Sequence, residues 1–96
     1  MNFAAQTAQG VMLVDFWAPW CGPCRRQGPI VEQVAEQLGA AAKIAKVNVD
    51  EAPKTAQKFG IESIPTLIVF KDGKPVKQFE GLTQAADLVA AIKAAQ

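Results

Sequence analysis

The sequence predicts an α/β fold, a mixed sheet of about four strands with helices on both faces. Three observations carry this. Strand-like runs interleave with amphipathic stretches in the order β-α-β-α-β-β-α. The run Val11 to Trp17 is nearly all apolar, as a central strand buried on both faces must be. Asp72-Gly73, set between two strand-like runs, signals a hairpin. With 96 residues, half of them hydrophobic, the chain is long enough for one small domain with a real core, spanning 1–96.

A short N-terminal helix is expected at about Phe3 to Gln9, and Val11 to Trp17 is the first strand. Cys21-Gly-Pro-Cys24 then opens a helix, with Pro23 near the first turn, where a missing N–H is harmless. Ile30, Val31, Val34, Ala35 and Leu38 follow at helical spacing, and Gly39 is the stop. Pro29 lies inside this helix and predicts a kink. Lys43 to Val49 is the second strand, with Ala45, Val47 and Val49 alternating against Ile44, Lys46 and Asn48. Pro53 starts a short helix ending at Gly60. Thr66 to Phe70 is the third strand, and Val76 to Phe79 returns as the fourth. The last helix starts at about Thr83 and buries Leu88, Val89 and Ile92. The alternation of strand and helix predicts parallel pairing by right-handed crossovers, with only the closing hairpin antiparallel. Sites in open α/β sheets lie beyond the carboxyl ends of strands, where the two cysteines fall.

Several function classes are excluded. The net charge is +1 and the charges are dispersed, with no basic stripe for nucleic acid. No apolar run approaches the ~20 residues of a membrane span. Met1 to Gln6 has neither a charged nor a long apolar segment, which argues against a secretory signal. The chain reads as cytoplasmic, although a processed exported protein would look the same.

Cys21 and Cys24 are the only cysteines, and there is no histidine. A structural crosslink over so short a loop removes little chain entropy. A structural zinc site wants four Cys or His ligands, which one chain cannot offer, although a dimer would present four thiolates. No cofactor is required. In a reducing compartment the pair points to redox chemistry. Cys21 falls at a helix N-terminus, where free N–H groups and the helix dipole favour an anion. That raises the thiolate fraction, and the thiolate is the nucleophile. Cys24, one turn on, reaches Cys21 but is expected to be less exposed. Cys21 therefore attacks a substrate disulfide and Cys24 resolves the mixed disulfide. Gly22 gives the backbone room, and Pro23 stiffens the loop.

Asp15 interrupts the most apolar strand, six residues before Cys21. Either it reaches water at a strand end, or it is buried with a raised pKa. Cys24 must lose a proton to attack, so Asp15 is the candidate base, directly or through water. Lys46, on the polar face of the neighbouring strand, is its candidate charge partner.

Trp20-Cys-Gly-Pro-Cys24 after Val14-Asp-Phe-Trp17, followed by Pro29, Lys46-Val-Asn-Val-Asp50, Ile64-Pro-Thr66, Phe70-Lys-Asp-Gly73 and Gly81, resembles the thioredoxin family. The likeness runs from about Val11 to the C-terminus. It implies a thioredoxin-like fold and a general dithiol–disulfide oxidoreductase acting on disulfide-containing target proteins. It implies a cis Pro65 facing the sulfurs, and an Ile64 backbone that pairs with an extended substrate segment. Trp20, Gly22, Pro23, Ile64, Pro65, Gly81 and Leu82 would form an apolar docking surface. Trp17 would be a core and positioning residue. Met12, Phe16, Val47, Leu67, Val69, Val89 and Ile92 are assigned to the core. The implied electron donor is a thioredoxin reductase of the NADPH/flavin type, with ferredoxin- or F420-linked enzymes as alternatives. Gly-Pro between the cysteines, without the histidine of oxidising relatives, suits a reductant. A glutaredoxin-like use of glutathione fits this motif poorly. A binding module without turnover is the reading from another class.

Two departures from the family stand out. Only about ten residues precede Val11, so the usual N-terminal edge strand is expected to be missing. The strand around Lys43 to Val49 would then be an edge, guarded by Lys43 and Lys46. A monomer is expected, with a weak homodimer through this edge as the alternative. Glu80 stands where the family usually has an apolar residue. It would either oppose thiolate formation and reject acidic partners, or point into solvent.

Overall fold

The computed structural model describes residues 9–96. The expected helix at Phe3 to Gln9 lies outside them, apart from its last residue. A four-stranded sheet with order β2-β1-β3-β4 is built from β1 (Val11–Trp17), β2 (Lys43–Asn48), β3 (Thr66–Lys71) and β4 (Lys74–Glu80). Helices α1 (Gly22–Leu38), α2 (Pro53–Lys58) and α3 (Ala85–Ala95) complete the fold, and a single 3₁₀ turn at Gly39–Ala41 follows α1. Among the described residues no helix is long and apolar enough to cross a membrane.

β1 is apolar except at Asp15 because it has strands on both sides and helices on both faces. Val11 and Leu13 point to one face with Leu67 and Val69, under Val31 and Val34 of α1 and Leu88 and Ile92 of α3. Met12, Val14 and Phe16 point to the other, with Val47, Ile68 and Phe70, beneath Phe59 and Ile61 beyond α2. Phe59 meets Phe70 edge-on at 5.3 Å between ring centroids. Each such large side chain, fully buried, contributes about 1.5–3 kcal/mol. All seven residues assigned to the core are buried.

One expectation is overturned. β1 and β2 are parallel, but β3 runs antiparallel to β1, with Phe16 opposite Thr66 and Val11 opposite Lys71. The chain reverses after α2. Gly60, at φ +66°, follows the short helix, and Phe59 and Ile61 pack onto the face of the sheet that holds Phe16 and Phe70. The chain therefore enters β3 at the end of the sheet where β1 and β2 finish, beside the cysteines. The hairpin after β3 is as expected, with Asp72 and Gly73 both at positive φ, 50° and 84°. The Asp72 carboxylate and backbone N–H also pair with the Gly10 N–H and carbonyl, tying the start of β1 to this turn.

Several boundaries shift, including the end of the short helix, at Lys58 rather than Gly60, and of β3, at Lys71 rather than Phe70. β2 ends at Asn48 rather than Val49, and β4 extends to Lys74 and Glu80. The last helix begins at Ala85, not Thr83. Thr83 is held out of it because its N–H and carbonyl are bound to the Gln27 side chain. Pro29 sits within α1, where the helix continues to Leu38 and closes on Gly39. β2 is an edge among the described residues, with Lys43 and Lys46 exposed.

Candidate functional site

The carboxyl ends of β1 and β2, the N-terminus of α1 and the segment entering β3 meet at one end of the sheet. Cys21 is the N-cap of α1, in extended conformation (φ −89°, ψ 115°), and Pro23 occupies the first turn. The Cys24 N–H donates to Cys21 Sγ at 3.2 Å, so the first cysteine's sulfur takes the place of a capping oxygen. A negative sulfur there would meet this N–H and the positive end of the helix dipole.

The two cysteines form a disulfide, Cys21–Cys24, with Cα atoms 5.2 Å apart. Both are 5 % exposed, so the expected difference in exposure is absent from this state. In this state Cys21 Sγ lies 3.7 Å from the Ile64 carbonyl oxygen. The pair packs with Ala18, and with Trp17, Val49 and Ile64 around it.

The Ile64–Pro65 peptide bond is cis. Pro65 is buried and its carbonyl accepts from the Gly81 N–H at 2.8 Å. Gly81 has φ +85°, a conformation that side chains disfavour, and it leads into the exposed Leu82. Trp20 is 66 % exposed, the largest apolar group left open to solvent among the described residues, with its indole N–H donating to Asp50 Oδ2 at 2.9 Å. Gly22 and Pro23 are exposed beside it. Of the docking set inferred from the sequence, Ile64 meets Cys21 and Pro65 meets Gly81, while Trp20, Gly22, Pro23 and Leu82 are exposed to solvent. Glu80 is exposed on β4 opposite Thr66, as in the solvent-facing reading.

Asp15 is 1 % exposed, on the α1 face of β1, and its Oδ1 has no hydrogen-bond partner among the described residues. Burial pushes the carboxyl up to about 6, against the opposing pull of the Lys46 ammonium. Lys46 is opposite Asp15 in register. Its Nζ passes over Gly28, 3.4 Å from where a Cβ would stand. Asp15, Lys46 and Cys24 line one cavity of about 370 Å³, together with Trp17, Arg25 and Glu32. A water molecule occupies about 30 Å³ of liquid, so the cavity has room for water between carboxylate and thiol. Arg25 donates to the Pro19 carbonyl, at 3.2 Å from Nη2.

Sequence reasoning missed Gln27 and Thr83, which meet in a buried pair of hydrogen bonds beneath the Gly81 loop. A polar residue at 27, in line with Val31 and Val34, was the available signal. It also missed the tie of Trp20 to Asp50. Among the described residues no three His, Cys, Asp or Glu side chains gather as a metal-binding group.

A family model described as Thioredoxin matches residues 1–94. Thioredoxin of Bacillus subtilis (strain 168) is 50 % identical over 80 residues, covering 83 % of this chain and 77 % of that protein. Thioredoxin of Staphylococcus saprophyticus is 49 % identical over 92 residues, covering 96 % of this chain and 88 % of that one. The solved structure of a mutant thioredoxin from Halobacterium salinarum superposes with a TM-score of 0.86 at 39 % identity, covering 94 % of this chain and 78 % of that one.

Proposed function

This chain belongs to the thioredoxin family and is a thiol–disulfide oxidoreductase, and from there we propose how its residues divide the reaction. Cys21 is the nucleophile. Its thiolate attacks one sulfur of a substrate disulfide, that bond breaks, and a mixed disulfide forms while the second substrate sulfur leaves as a thiolate and takes a proton. Asp15 accepts the Cys24 proton through water in the shared cavity. The Cys24 thiolate then attacks Cys21 Sγ. The mixed bond breaks, the Cys21–Cys24 bond forms, and two electrons have passed to the substrate. Lys46 holds down the carboxyl pKa enough for the base to be ionised near neutrality.

The substrate segment lies across Trp20, Gly22, Pro23, Ile64, Pro65, Gly81 and Leu82. Trp17 and Pro29 serve the scaffold. Such a surface offers shape and main chain rather than charge, so it accepts many disulfide-containing proteins. A thioredoxin reductase of the flavin and NADPH type returns the electrons, and the protein acts as a monomer in the cytoplasm. One observation supports the assignment above the others: Cys21 caps the helix that carries Cys24, with Cys21 Sγ 3.7 Å from the Ile64 carbonyl. The test is reduction of insulin disulfides by dithiothreitol with and without the protein. Wild type accelerates it and Cys21→Ser does not. A wild type without effect would overturn the general-reductant reading.

A further inference from the structure

Gln27 stands one helical turn after Cys24, on the stripe that continues with Val31 and Val34. It is 0 % exposed. A buried primary amide needs partners for both its ends, and Gln27 finds them on one residue. Its Nε2 donates to the Thr83 carbonyl at 2.9 Å, and its Oε1 accepts from the Thr83 N–H at 2.8 Å. The side chain thus pairs with a peptide unit as a neighbouring strand would. The chain of contacts continues outward. Thr83 Oγ1 donates to the Gly81 carbonyl at 3.0 Å, and the Gly81 N–H donates to the Pro65 carbonyl at 2.8 Å. The helix bearing Cys24 is in this way latched to the loop bearing Gly81 and Leu82 and to the segment beside Cys21.

Packing alone does not ask for glutamine here. Methionine has nearly its length and would fill the same space, leaving the Thr83 N–H and carbonyl without partners. What the amide adds is a fixed position for a loop that no regular element holds, since β4 ends at Glu80 and α3 begins at Ala85. We propose that Gln27 is a positioning residue that pre-organises the Gly81–Leu82 loop for protein substrates, setting how they dock and not how fast the sulfurs react. Ordering the loop in advance removes that cost from binding. The inference rests on the reading that Gly81 and Leu82 touch the substrate.

The test uses the reduced full-length protein in single-turnover mixing with two substrates, insulin and the disulfide of mercaptoethanol, which is too small to span the loop. In Gln27→Met the half-saturating insulin concentration rises about tenfold, the scale of one buried hydrogen-bonding group left unpaired. The limiting rate, and the rate with the small disulfide, stay within about twofold of wild type, since neither depends on docking. Thr83→Ala, which keeps the Gln27 bonds but cuts the link to Gly81, shifts the insulin dependence in the same direction and serves alone if Gln27→Met does not fold. An unchanged insulin dependence in either folded variant, or equal losses on both substrates, overturns the proposal. Leu82→Asp separates the two readings. If it shifts insulin binding and Gln27→Met does not, the latch alone falls; if Leu82→Asp shifts nothing, the docking surface falls with it.

Discussion

Asp15 and Lys46 stand directly opposite each other in the parallel β1–β2 pair, yet Asp15 Oδ1 accepts no hydrogen bond from any described residue. The carboxylate feels the ammonium without being solvated by it. Burial therefore wins over attraction, and the carboxyl pKa rises to about 6.

That shift makes stability depend on pH in a direction opposite to the usual carboxylate. The unfolded chain releases this proton near pH 3.9, the folded chain near 6. Between the two the folded state binds more protons, so stability falls as pH rises through this window and stays lower above it. Asp15→Asn removes the effect. It is expected to stabilise the protein by about 3 kcal/mol at pH 8 and by little near pH 4. Urea unfolding of both proteins at the two pH values checks this, and equal midpoints at pH 8 would contradict it.

The same substitution should slow catalysis. With no base in the cavity, Cys24 must shed its proton to bulk water, and insulin reduction at pH 7 is expected to fall by about tenfold or more. The deficit narrows above roughly pH 8.5, where thiols ionise unaided. A rate equal to wild type across neutral pH would remove Asp15 from the mechanism.

Division of labour between the cysteines predicts different traps. Cys24→Ser should accumulate a stable mixed disulfide with an oxidised target, visible by mass under non-reducing conditions. Cys21→Ser should form none. Adducts on Cys24 in the second variant would reverse the two roles.

The exposed lysines of β2 predict the state of association. Lys43 and Lys46 place charge on a strand edge that would otherwise template another chain. Sedimentation of wild type at raised concentration should show a monomer, and Lys43→Val should show self-association. A wild-type dimer would make the edge an interface.

What could be read in the sequence was local. The helix-capping Cys21 with Cys24 one turn on, the hairpin at Asp72-Gly73 and the largely apolar β1 each declare themselves within a few residues. Asp15 was legible because a charge in such a strand is costly and demands a reason. The direction of β3 was not, because it depends on where the chain turns after the short helix, and that is set by packing rather than by any local pattern. Nor was the pairing of Gln27, whose partner is a backbone unit 56 positions away. A side chain that binds main chain leaves no trace in the identity of the residue it binds.

The place of β1 between β2 and β3 has a consequence for synthesis. Thr66, the partner of Phe16, stands 50 positions later in the chain. At roughly 5–20 residues per second on the ribosome, the strand waits about 3–10 s for that neighbour. During this time VMLVDFW is a nascent segment of the kind that aggregates or recruits chaperones. In the unfolded chain Asp15 is fully ionised at neutral pH and interrupts that segment near its middle. The carboxylate that weakens the finished fold is thus a gatekeeper while the fold is still being made.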